Sequence, residues 1–143
     1  MVRRIMTLGV GVVLGLAAIA CQGNVFALKV GDCFNGTSTG TVSNVSVVAC
    51  TAAHDAEVFD VFDYPAPPTG YPGDTAISQV VADRCGPDFA TFDGVDITQS
   101  SLTVGQLVPS TDSWGSGDRQ IICFVKSSTP GHQLTGSAKG TRQ

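Results

Sequence analysis

The residues best equipped for chemistry share one run, Cys-Thr-Ala-Ala-His-Asp-Ala-Glu at positions 50–57, where His54 stands beside Asp55 and near Glu57. A histidine next to carboxylates can act as a general base held by an orienting acid. The nucleophile for such a base must come from elsewhere, and the serines are too many to single one out. The alternative is that His54 hydrogen-bonds a nearby backbone or carboxylate group and shapes the chain there. Metal binding is a weak reading. His54 and His132 are the only histidines, neither has a second one at helical spacing, and no Asp-x-Asp-x-Asp loop occurs. No metal and no cofactor are implied. Trp114, the single tryptophan, lies in Ser-Trp-Gly-Ser-Gly-Asp-Arg. An aromatic on a polar loop can stack on a sugar or a partner, or fold back over the core. Asp118 and Arg119 pair or cap a turn beside it. His54, Asp55, Glu57, Trp114, Asp118 and Arg119 form the candidate binding surface, and no residue is assigned as catalytic.

These residues are delivered by a chain of 143 residues, one domain's length, preceded by what reads as a leader. Two arginines open it, and an apolar run then fills residues 5–21, the pattern of a signal peptide over residues 1–27. Ala17-Ala18-Ile19-Ala20-Cys21 resembles a lipobox, with cleavage before a lipidated Cys21. Val25-Phe26-Ala27 offers ordinary cleavage after Ala27, and an uncleaved N-terminal anchor is the third option. The formal net charge is −4, and it grows more negative without Arg3 and Arg4. No basic stripe exists to bind nucleic acid. An acidic body is repelled by an anionic membrane, so attachment must come through the N-terminus.

Five cysteines leave Cys33, Cys50, Cys85 and Cys123 once Cys21 is set aside, an even set suited to two disulfides outside the cytoplasm. Their gaps of 17, 35 and 38 residues are poor zinc spacing. Of three possible connectivities, Cys33–Cys50 with Cys85–Cys123 is favoured, because a hairpin of residues 28–34 with residues 45–50 brings the first pair together.

Further strands are read at residues 56–64, 101–108 and 119–126, the last apolar through its centre. In residues 56–64 a strict period of two puts Val58, Phe62 and Tyr64 on one face, with Phe59 and Val61 on the other. Pro65 to Gly73 is loop. Asp74 is read as the N-cap of a helix carrying Ile77, Val80, Val81 and Cys85 on one stripe. Gly86-Pro87 breaks it, and Phe89 and Phe92 continue the stripe in a second short helix. Residues 109–117 read as loop. The expected fold is α+β: a small antiparallel sheet with one broken helix packed on a face and two disulfides. The domain spans residues 28–140, and residues 141–143 form a frayed tail.

Val30-Gly-Asp-Cys-Phe, Val48-Ala-Cys50 and His54-Asp-Ala-Glu-Val carry a resemblance, joined by Tyr71-Pro-Gly before the helix, Ser113-Trp114, Gly117-Asp-Arg and Leu134-Thr-Gly-Ser. In this order they resemble the septum-formation-related domain of actinobacterial envelope proteins. The resemblance implies a secreted, lipoprotein-like or membrane-anchored protein linked to the division septum, with no catalytic residues defined. It also implies an ordered edge strand in the tail. Many relatives have proline before the histidine, where this chain has Ala53. The function read from all this is a non-catalytic extracytoplasmic module that binds an envelope protein or cell-wall component, with membrane attachment through lipidated Cys21 or an N-terminal anchor. The alternative is an envelope hydrolase using His54 with a nearby carboxylate.

Overall fold

The computed structural model describes residues 21–36, 42–65 and 67–143. In chain order the elements are β1 (Cys21–Asn24), a 3-10 turn (Val25–Ala27), β2 (Cys33–Asn35), β3 (Asn44–Val48), β4 (Ala56–Asp63), α1 (Asp74–Asp93), a second 3-10 turn (Ile97–Gln99), β5 (Leu102–Leu107), α2 (Thr111–Gly115) and β6 (Gln120–Ser127). Six strands make one sheet in the order β1-β3-β2-β4-β6-β5. Every pairing is antiparallel. The α+β class holds, and so do both disulfides, Cys33–Cys50 and Cys85–Cys123.

Two cores flank the sheet. On one face α1 lays Ile77, Val81, Cys85, Phe89 and Phe92 against Phe59, Ile121, Cys123 and Val125. On the other, Val25 and Leu28 cover Phe34, Val45, Val58, Ile122 and Phe124. β6 serves both cores, with neighbouring residues facing opposite ways, which is why its centre is apolar throughout.

Several expectations require correction. The helix is not broken: α1 runs for 20 residues straight through Pro87. A proline inside a helix costs about 3 kcal/mol, and the stripe continues on both sides of it. Each buried side chain there contributes roughly 1.5–3 kcal/mol, enough to hold one axis. The N-cap is Gly73, at φ 90°, and Asp74 is the first helical residue. There its charge suits the helix dipole, and it accepts a 2.5 Å bond from the Tyr71 hydroxyl. The strand read at 28–34 begins only at Cys33. Residues 109–117 contain α2, whose Ser110 and Ser113 form a capping box.

The strict alternation in β4 also fails. The register against β6 shifts between Val58 and Asp60, a bulge at Phe59. Phe59, Phe62 and Tyr64 therefore share the helix face, whereas Val58 and Val61 share the other. Asp60, beside the bulge, reaches Arg84 of α1 at 2.8 Å.

Most of the leader reading falls on residues 1–20, outside the described residues. Cys21 opens the edge strand β1, opposite Val47, and Val25 just after it is buried in the second core. Cleavage after Ala27 would remove both. Among the described residues no helix is long and apolar enough to cross a membrane.

Candidate functional site

The residues singled out in the sequence do not form one surface. They fall into two clusters, and three of the six are buried: His54 at 0 % exposure, Glu57 at 2 % and Trp114 at 3 %.

The first cluster ties down the C-terminus. After β6 the chain returns as a strap, fastened mainly to β4, the approach to β4, and α1. His54 and Leu134 form an isolated antiparallel bridge, with N···O distances of 3.0 and 2.8 Å. The Cys50 carbonyl accepts from the Gly136 N–H at 2.7 Å. Asp55 accepts from the Gln133 side chain at 2.9 Å and from the Gly36 N–H at 2.9 Å. Glu57 accepts from the Ser137 hydroxyl and from the Ala138 N–H, both at 2.6 Å. Asp93, wholly buried at the end of α1, accepts from Ser100, Thr141 and the Arg142 N–H. The last residues therefore do not fray as expected, because Thr141 and Arg142 satisfy a buried carboxylate. Nor is the tail an edge strand; one bridge and a series of side-chain bonds hold it.

A histidine–carboxylate dyad is absent from this cluster. The His54 Nδ1 lies 2.8 Å from the Ala52 carbonyl, so Nδ1 carries the hydrogen that is donated. Nε2 is buried without a partner, and among the described residues no carboxylate bonds the ring. Cys33, Cys50 and Glu57 bring ligand-type atoms together, but both sulfurs are in a disulfide, so they are not thiolate ligands. One stretch has the spacing of a nucleophile elbow, Gly36-Thr37-Ser38-Thr39-Gly40. An elbow needs a strand before it and a helix after it, whereas this one joins β2 to its antiparallel neighbour β3. Residues 37–41 lie outside the described residues.

The second cluster is built around Trp114. Arg119 stacks its guanidinium 3.7 Å from the indole centroid, and Tyr64 and Tyr71 meet the ring edge-on at 5.5 and 5.9 Å. Arg119 donates to the Trp114 and Asp118 carbonyls, and Asp118 accepts from the Ser113 hydroxyl and the Gln120 N–H. The tryptophan folds back on the core and is no stacking platform. Its role is to fix α2 against the start of β6.

That fixed corner walls a cavity of about 620 Å³, within the range of small-molecule sites. The sheet curls so far that Val25 and Phe26, just after one edge strand, face Gln106, Leu107 and Val108 of the other edge. Ile122 and Val42 complete the apolar wall, and Phe26 and Val108 stand 51 % and 41 % exposed. The polar lining comes from Tyr71, Asp74, Ser110, Ser113, Asp118 and Gln120. Hydrogen bonding to Asp74, with some desolvation, raises the Tyr71 pKa, so the phenol stays protonated. A shallower hollow shares Phe26, Ser110, Ser113 and Asp118 and adds Asp112. Of the sequence candidates only Asp118 lines this cavity. Phe26 sits inside the stretch that reads as a leader, and Gln106 and Gln120 read as ordinary strand residues. Only the curl of the sheet brings them together.

No curated protein and no solved structure matches the chain. A family model described as Septum formation matches residues 28–143, from the first buried leucine through the end of the strap. On that match, the chain belongs to the septum-formation family.

Proposed function

We propose that the protein is a non-catalytic binding module of the cell envelope, outside the cytoplasmic membrane, that serves septum formation through an envelope protein or cell-wall component. The observation that carries this reading is the fate of His54, Asp55 and Glu57. All three hold the C-terminal strap, and none of them lines the cavity beside α2. A hydrolase using His54 would need its ring to reach solvent and a carboxylate. The family match supports the septal context, and two disulfides support an oxidising compartment. A lipid on Cys21 suits the fold better than cleavage after Ala27, because it keeps β1 and the buried Val25.

The test is to follow the tagged full chain in dividing cells and to assay the purified protein on peptidoglycan and peptides. Septal enrichment without hydrolysis supports the proposal. Hydrolysis that disappears in His54→Ala would overturn it. Labelled fatty acid should enter the wild type and not Cys21→Ser.

A further inference from the structure

We propose that Asn35-Gly36 is a self-modifying site. The Gly36 nitrogen closes on the Asn35 side-chain amide, ammonia leaves, and water opens the resulting succinimide to aspartate or isoaspartate. This goes beyond the binding-module reading and does not depend on it. Asn35-Gly36 is the only Asn-Gly pair in the sequence, and it stands at the end of β2. The two reacting groups are neighbours in the chain, so closure is intramolecular. It needs a base for the Gly36 proton, donors for the charge that develops on the Asn35 oxygen, and an amine free to leave. The fold supplies all of these.

Asp55 is the base. Its Oδ2 accepts from the Gly36 N–H at 2.9 Å, and that is the proton to be removed. The Asn35 Oδ1 accepts from the Asp55 N–H at 2.9 Å and from the Gln133 Nε2 at 3.2 Å. The Asp55 N–H is shared with the Phe34 carbonyl at 3.1 Å. A backbone N–H only donates, so the Asn35 atom facing it is the oxygen. Both hydrogen bonds of this side chain among the described residues fall on that oxygen, which leaves Nδ2 free to depart. Gly36, at φ 110°, has no Cβ to crowd the approach. It is exposed, and Asn35 and Asp55 are half-buried, so water reaches the ring.

In the step the Gly36 N–Cγ bond forms and the Cγ–Nδ2 bond breaks. The Gly36 proton passes to Asp55 and from there to the departing amine, which leaves as ammonia. One water then cleaves an imide C–N bond. Opening at one carbonyl gives aspartate. Opening at the other gives isoaspartate, whose extra backbone methylene breaks the pairing of residue 35 with Ser46. Either product sets a second carboxylate beside Asp55, where Gln133 of the strap bridges the two residues.

The test incubates the full chain, with its disulfides intact, at neutral pH, folded or unfolded in urea. Peptide mapping by mass spectrometry follows the loss of ammonia at Asn35. The folded chain is expected to lose it faster than the unfolded one. Asp55→Asn should slow the folded chain roughly 100-fold, the loss of a general base. Gln133→Ala removes one oxyanion donor and should slow it severalfold. If these bonds only locked the pair in place, removing either would free it and the loss would speed up. The proposal is overturned if unfolding speeds the loss, or if either folded variant loses ammonia as fast as wild type or faster. Gln133 is exposed, so Gln133→Ala and the urea comparison decide the matter should Asp55→Asn not fold.

Discussion

The Glu57 carboxylate and the Ala138 N–H meet at 2.6 Å across 81 positions of chain, both sheltered from water. A hydrogen bond to a buried charge is worth roughly 1.5–3 kcal/mol, and Glu57 makes two. Glu57→Ala should therefore lower Tm on the order of 10 °C and expose the last ten or so residues to carboxypeptidase. A Tm within a degree of wild type would mean that the strap is held by other bonds.

His54 separates packing from polarity. His54→Ala removes a wholly buried ring and should cost about 2 kcal/mol or more. His54→Phe loses only the bond to Ala52, while it removes the unpartnered Nε2. Denaturant melts should rank wild type above phenylalanine and phenylalanine above alanine. Both variants lose the bond to Ala52, so the reverse order would show that the larger phenyl ring overpacks the site.

Gly105 makes room for an aromatic ring. A Cβ built on Gly105 would collide with the Phe124 ring, which also meets Phe34 edge-on at 5.5 Å. Gly105→Ala should destabilise by about 1–3 kcal/mol through overpacking. Adding Phe124→Leu, which clears the ring, should recover part of that loss. A double mutant less stable than the sum of the two single mutants would count against this steric account.

The disulfides should differ in weight. Cys85–Cys123 spans 38 residues and links α1 to the interior strand β6, whereas Cys33–Cys50 spans 17. The chain-entropy estimate is about 4 kcal/mol for the longer loop and about 3 for the shorter. Calorimetry of Cys85→Ala/Cys123→Ala should show the larger drop in Tm.

Asp88 sets a pH signature. Desolvation, with Asp60 close by, raises its pKa despite Arg84 at 3.4 Å. A raised carboxyl pKa means that the folded state favours the protonated form. Its contribution is favourable below the unfolded value and is lost as pH rises through the folded value. Asp88→Asn should thus raise Tm slightly at pH 7, and the gain should vanish near pH 3. Because the group is largely solvated, added salt should shrink the effect.

Much of the architecture was legible because burial writes itself into periodicity. β6 is apolar through its centre because two cores claim it, and the stripe Ile77, Val81, Cys85 follows from one helix face on a sheet. The disulfide partners followed from the β2–β3 hairpin. What stayed hidden is non-local. The bulge at Phe59 leaves no local mark, and Pro87 argues against a helix that burial preserves. The strap is the clearest case: Ser137 and Thr141 look like linker residues until Glu57 and Asp93 are placed beneath them. The candidate site was legible only at Asp118, since a cavity between opposite sheet edges has no signature in either edge.

The strap also sets a schedule. β6 lies between β4 and β5, and the strap residues that fasten Glu57 and Asp93 follow β6 in the chain. Without the strap Glu57 has neither of its side-chain hydrogen-bond partners, and Asp93 keeps only Ser100. Burying those acids early is unfavourable, so the N-terminal hundred residues gain little by closing ahead of time. The strap is therefore part of the folding unit itself, and the sheet and helix reach their full stability only with residues 137–142 in place.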